Sequence, residues 1–171
     1  MKKIYTVKYV DAYYIYEKRT GKTKLSLHEA HGYVERKGNN IIIIFIKKRK
    51  ISNKKTIEGK ENIIEGLVIP DTALASVVDT YKNDILKNIT IGSSVSVTWR
   101  DVVYVTNTPT YDCPIMYTEG ILTKIKRDHI VLKDPETIRV YPTPVRNHPG
   151  RGLPTYLMIP ISFITDITVI K

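Results

Sequence analysis

Apolar residues recur along this chain in short runs with a period of two, separated by turn-forming residues. Tyr5, Val7, Tyr9, Tyr13 and Ile15 share one parity, while Thr6, Lys8 and Ala12 occupy the other. That alternation, rich in aromatic and β-branched residues, predicts a half-buried strand. The unbroken run Ile41 to Ile46 predicts another strand, and Gly38-Asn39-Asn40 before it tolerates the positive φ of a tight turn. Arg127-Asp128 predicts the same turn ahead of Ile130-Val131-Leu132. DTYKNDILKN, residues 79–88, reads as a short helical linker capped by Asp79 or Thr80.

The strand patterns occur twice, at an offset of 88 to 90 residues. Val7 to Tyr16 aligns without gaps on Val97 to Thr106, matching Tyr9 with Trp99, Asp11 with Asp101 and Tyr14 with Tyr104. Gly32-Tyr33-Val34 then falls on Gly120-Ile121-Leu122, and Ile42-Ile43-Ile44 on Ile130-Val131-Leu132. Each copy ends on an apolar-Ile-Pro signature, Val68-Ile69-Pro70 through Leu74 and Met158-Ile159-Pro160 through Ile164. Proline fixes φ and lacks an N–H, so it stops a strand and starts a helical turn. Val77-Val78 and Ile167-Thr168-Val169 are the expected closing strands.

A strand, a strongly bent hairpin, a further strand, an Ile-Pro turn of 3₁₀ type and a short last strand resemble the small five-stranded barrels of the Sm-like and SH3-like type. The resemblance covers nearly the whole chain twice. It implies an all-β protein of two tandem barrels: residues 1–78, a linker at 79–91, and residues 92–171. Sm-like proteins that bind uridines carry an apolar residue followed by Asn after the Asp of their first motif. Asp128-His129-Ile130-Val131-Leu132 lacks that Asn, and Arg151-Gly152 sits among prolines ahead of the strand, so a uridine pocket is not carried over.

Charge changes the picture. The chain carries a net +10, of which residues 1–90 hold +8 and the rest +2. Residues 47–60, KKRKISNKKTIEGK, concentrate +6 and are expected to form the loop between the third and fourth strands of the first barrel. Several cations on one arm displace counterions from a polyphosphate, which predicts non-enzymatic binding of DNA or RNA through Lys47, Lys48, Arg49, Lys50, Lys54 and Lys55. The same lysines would also guard the edge of a very β-prone strand, so a purely solubilising role stays open. The second copy has a stiff loop of five prolines at 134–154, which presents Arg146, His148 and Arg151, with Arg146 and Arg151 as secondary phosphate contacts. Tyr9 and Trp99 fall on the inward parity and are expected in the core. Tyr14 and Tyr104 fall on the other and are candidates for base stacking. The competing reading is an assembly protein, such as a viral or mobile-element component, whose barrels form a homo-oligomer through strand edges.

Other chemistry is sparse. Cys113 is the single cysteine, which excludes an intramolecular disulfide, and it has no neighbouring base to activate it. His28 and His31, three apart on extended chain, point to opposite faces and do not make a metal site. Asp128-His129 reads as turn chemistry. No phosphate loop, G-x-S-x-G or H-E-x-x-H motif occurs. No enzyme activity and no cofactor are expected. The longest apolar run is six residues, against about 20 for a membrane helix. Met1-Lys2-Lys3 leads into no signal sequence, so an intracellular, cytoplasmic protein is expected. The lack of Gln and the wealth of Ile, Lys and Tyr match the bias of proteins from hot habitats, archaeal or viral, and equally that of AT-rich genomes.

Overall fold

A computed structural model describes residues 3–15, 24–51, 56–58, 65–78, 84–106, 112–141, 145–146 and 154–170. The chain is all-β. The first copy contributes β1 (Tyr5–Val10), β2 (Tyr13–Ile15), β3 (Leu27–Lys37), β4 (Asn40–Ile51), β5 (Thr56–Glu58) and β6 (Glu65–Pro70). The second contributes β7 (Ser94–Arg100), β8 (Val103–Thr106), β9 (Ile115–Ile125), β10 (His129–Tyr141), β11 (Val145–Arg146), β12 (Tyr156–Pro160) and β13 (Ile164–Val169). All pairings are antiparallel, in two sheets of order β1-β3-β4-β6-β8 and β13-β7-β9-β10-β12-β2, with β5 on β4 and β11 on β10.

The repeat in the sequence is present in the register. Tyr5 pairs with Gly32 and Val95 with Gly120; Asn40 pairs with Pro70 and His129 with Pro160, so β4 and β10 correspond at an offset of 89, and Ile42 matches Val131 where the sequence pattern matched it with Ile130. Both Ile-Pro signatures lead into 3₁₀ turns, Asp71–Ala73 and Ile161–Phe163. Each turn is anchored alike, Asp71 N–H donating to Asn39 O and Ile161 N–H to Asp128 O. Gly38 adopts φ 59°, as its turn requires. The β9–β10 ladder skips register between Lys133 and Glu136, where Asp134 stands at φ 47°. Gly120 lies opposite this bulge, and a Cβ on it would come within 3.1 Å of Lys133 O. A matching shift occurs between Ala30 and Gly32. Bulges of this kind bend a strand and increase its twist.

The strands after Asp11 and Asp101 change sheets. β2 leaves its own copy to pair with β12, and β8 pairs with β6, so neither sheet is built from one copy alone. At both crossovers the aspartate turns the chain by accepting the next backbone N–H: Ala12 N–H to Asp11 Oδ1 at 2.8 Å and Val102 N–H to Asp101 Oδ1 at 2.9 Å. This local bond competes with the ladder and ends it.

One apolar core runs through both copies. Tyr9 and Trp99 are fully buried, as their parity predicts, together with Leu67, Ile69, Leu122, Leu132 and Phe163. Each such side chain contributes about 1.5–3 kcal/mol relative to exposure. The Trp99 indole N–H donates to Thr118 Oγ1 at 3.0 Å, which in turn bonds Thr137 Oγ1 at 2.9 Å. A buried donor is thereby satisfied inside the core.

Three local expectations need correction. Residues 47–51 are not loop but the end of β4, held between β3 and β5. The second arm likewise continues β10 to Tyr141 and returns as β11, which pairs Arg146 with Ile138. Val77-Val78 do not form a closing strand. They end a four-residue helix, α1 (Ala75–Val78), and among the described residues the bridge Tyr9–Leu74 marks where β13 has its counterpart. Of the linker, the described part, residues 84–91, begins with a 3₁₀ turn at Asp84–Leu86. No helix among the described residues is long and apolar enough to cross a membrane.

Candidate nucleic-acid interface

The basic run lies on β4 beside the register shift between Ala30 and Gly32 of β3, where Ala30 itself is buried in the core. Lys48 faces Glu58 of β5 in register, Arg49 faces Ile57 and Lys50 faces Thr56. On the other side Ala30 faces Arg49 and Glu29 faces Lys50. Lys47, Lys48, Arg49 and Lys50 are therefore carried consecutively on the middle strand of a three-stranded arm. Lys54 and Lys55, between β4 and β5, lie outside the described residues, as do His148 and Arg151. Arg146 occupies the equivalent arm of the second copy, on β11. The two copies thus place their basic residues on corresponding hairpins.

The tyrosines divide differently from their parity. Tyr14 is half-buried and packs against the core, so it does not offer an open stacking face. The reason is the turn at Asp11-Ala12, across which alternation does not carry: Tyr13, on the supposed inward parity, is 38% exposed. Tyr104 lies on β8 between the copies, facing Leu67 in register.

The histidines follow the extended-chain reading. His28 stacks on Tyr9 with ring centroids 5.3 Å apart, and His31 bonds the Thr6 hydroxyl at 2.9 Å. His129 is buried against Asp128, Nδ1 to Oδ1 2.6 Å. No group of three metal-ligating side chains occurs among the described residues. Cys113 is buried, and desolvation pushes its thiol up to about 12, which keeps it protonated and unreactive.

The seam between the copies holds features that sequence reasoning missed. Asp101 bonds Asp11 side chain to side chain, and burial raises its carboxyl to about 7 against the opposing pull of the Val102 N–H and the Asp11 contact. Next to this pair Arg100 forms a wall common to two adjoining cavities of about 470 and 360 Å³. The first repeat has buried Val10 where the second has Arg100. That departure from the repeat was the available signal, because a charge replacing a core residue at a matched position marks a different surface. No family model, curated protein or solved structure matches the chain.

Proposed function

We propose that the protein is a non-enzymatic nucleic-acid-binding protein that grips phosphates with the arm of β3, β4 and β5. The observation that carries this reading is the placement of four consecutive cations, Lys47 to Lys50, on a paired strand, within a chain of net +10. A hydrogen-bonded strand fixes the backbone that carries these charges, so less ordering is lost on binding than from a free loop. Arg146 on β11 adds a second contact. The scaffold is read as two small barrels of the Sm-like or SH3-like type that exchange a strand segment, supported by the order β13-β7-β9-β10-β12 and the 3₁₀ turn between β12 and β13.

The test is titration of fluorescent single-stranded and duplex DNA and RNA at two salt concentrations. Replacing Lys47, Lys48, Lys50 and Lys54 with Ala should weaken binding and flatten the slope of log affinity against log salt by about 3–4 for duplex DNA. Absence of binding at low salt would refute the reading.

Assembly through strand edges is the second reading. It is favoured by apolar residues at the β1 and β13 edges of the two sheets: Ile4 and Tyr5 are 55% and 46% exposed at the start of β1, and Val169 is 50% exposed on β13. The solution mass, measured alongside, separates the two. A discrete oligomer that the lysine substitutions leave intact, with no nucleic-acid binding, selects assembly.

A further inference from the structure

The two cavities at the seam lie where the β3–β4 turn of the first copy meets the second. The larger is lined by Lys37 and Asn40 from the first copy and by Tyr141 from the second. The smaller reaches Ser162 on the second 3₁₀ turn, and Arg100 borders both. Three features set this place apart from an ordinary crevice.

First, it offers two cations that no ion pair among the described residues engages, beside Asp112 and Asp71, which line the same two chambers. Neither Arg100 nor Lys37 forms an ion pair with a described residue. The nearby Asp112 is already engaged by the Tyr141 phenol, which donates to Oδ2 at 3.0 Å. Second, it contains polar atoms that lack partners. Ser162 is 4% exposed, and its Oγ, like Asn40 Oδ1, is sealed from solvent without a hydrogen bond among the described residues. An orphaned buried polar group costs about 1–3 kcal/mol, so a ligand that satisfies it recovers that cost. Third, the larger chamber is of small-ligand size and ends on the half-open ring of Tyr141.

We infer that the Arg100 seam is a binding site for a nucleotide 5′-phosphate. Arg100 holds the phosphate at the junction of the chambers, its planar fork suited to two parallel bonds, and Lys37 adds a second charge. The Ser162 hydroxyl donates to a phosphate oxygen from the smaller chamber. In the larger chamber the base lies on Tyr141, and Asn40 Oδ1 accepts from the nucleoside. The site rests on the nucleic-acid reading only for its biological source, a chain end or a free nucleotide; the chemistry is the same in both.

The test is calorimetric titration with AMP, adenosine and inorganic phosphate, and with a short oligonucleotide carrying a 5′-phosphate or a 5′-hydroxyl. AMP should bind in the range of about 0.1–1 mM, and adenosine at least tenfold more weakly. Arg100→Ala should weaken AMP tenfold or more, and Ser162→Ala severalfold. If Arg100→Ala does not fold, as judged by circular dichroism, Lys37→Ala in the exposed turn decides. Preference for the 5′-phosphorylated oligonucleotide over AMP identifies a chain end, and the reverse a free nucleotide. No AMP binding at about 10 mM, or equal binding by the Arg100 and Lys37 variants, overturns the inference. The arm variant with Lys47, Lys48, Lys50 and Lys54 replaced should bind AMP like wild type. Loss of long-oligonucleotide binding with AMP binding retained sinks only the arm, and AMP silence with intact arm binding sinks only the seam.

Discussion

Replacing Asp101 with Asn should alter stability in a way that depends on pH and on little else. In the folded protein burial strips the Asp101 carboxyl of most of its hydration, which raises it from an ordinary 3.8 to about 7 against the opposing pull of the Val102 N–H and the Asp11 side chain. The native state therefore binds a proton that the unfolded chain releases between these two values. The group's favourable contribution is complete below about pH 4, declines as pH rises, and is gone above about pH 7. At about 1.4 kcal/mol per pH unit the full change is ~4 kcal/mol, an upper figure because part of the residue still reaches water. Asparagine keeps the size and an acceptor for the Val102 N–H, and its amide can donate to Asp11, but it does not titrate. Urea unfolding of both proteins from pH 4 to pH 8 tests this. Asp71, Asp112, Arg100 and Cys113, which share the neighbourhood, are present in both proteins and largely cancel in the difference. The Asp101→Asn variant should gain on the wild type by a few kcal/mol between pH 4 and pH 7 and then hold level. Curves that run parallel across this range would refute the raised Asp101 carboxyl.

The core and the bulge make further predictions. Trp99→Phe removes the donor to Thr118 but leaves the Thr118–Thr137 bond, and should cost about 1–2 kcal/mol, whereas Trp99→Ala should cost about 3–5 kcal/mol by thermal unfolding. Gly120→Ala should cost about 1–3 kcal/mol, since its Cβ would press on Lys133 O at 3.1 Å and Leu132 Cβ at 3.3 Å. Gly38→Ala meets nothing within 4 Å and should lose only the roughly 1–2 kcal/mol of its left-handed φ. A Gly120 variant as stable as wild type would contradict the bend assigned to β10.

Much of the fold is legible in the sequence because its determinants are local. The two Ile-Pro turns, the Gly38 turn and the inward pair Tyr9 and Trp99 are each specified by a few neighbouring residues, and each is where the pattern places it. What escapes reading depends on distant partners. Nothing in Tyr13-Tyr14-Ile15 says that its pairing partner is Tyr156 to Met158, more than 140 residues away. Asp11 resets the alternation, so a parity counted from Tyr5 misplaces Tyr13 and Tyr14. Lysines favour solvent, which makes the basic run look like loop, yet a paired strand can carry charge along its length. Two valines, Val77 and Val78, are too short a segment to choose between strand and helix. The Asp11–Asp101 contact is half visible, as a matched position in the repeat, but alignment shows equivalence and not proximity.

The reciprocal passage of β2 and β8 has a consequence for autonomy. Each half lends the other a strand at the same point of its path, which is the geometry of a swapped dimer carried in one polypeptide. In two chains such an exchange would weaken on dilution. Joined in one, it is independent of concentration, and neither half cut from the other retains a complete sheet. Two repeats are thereby committed to fold and unfold as one cooperative unit.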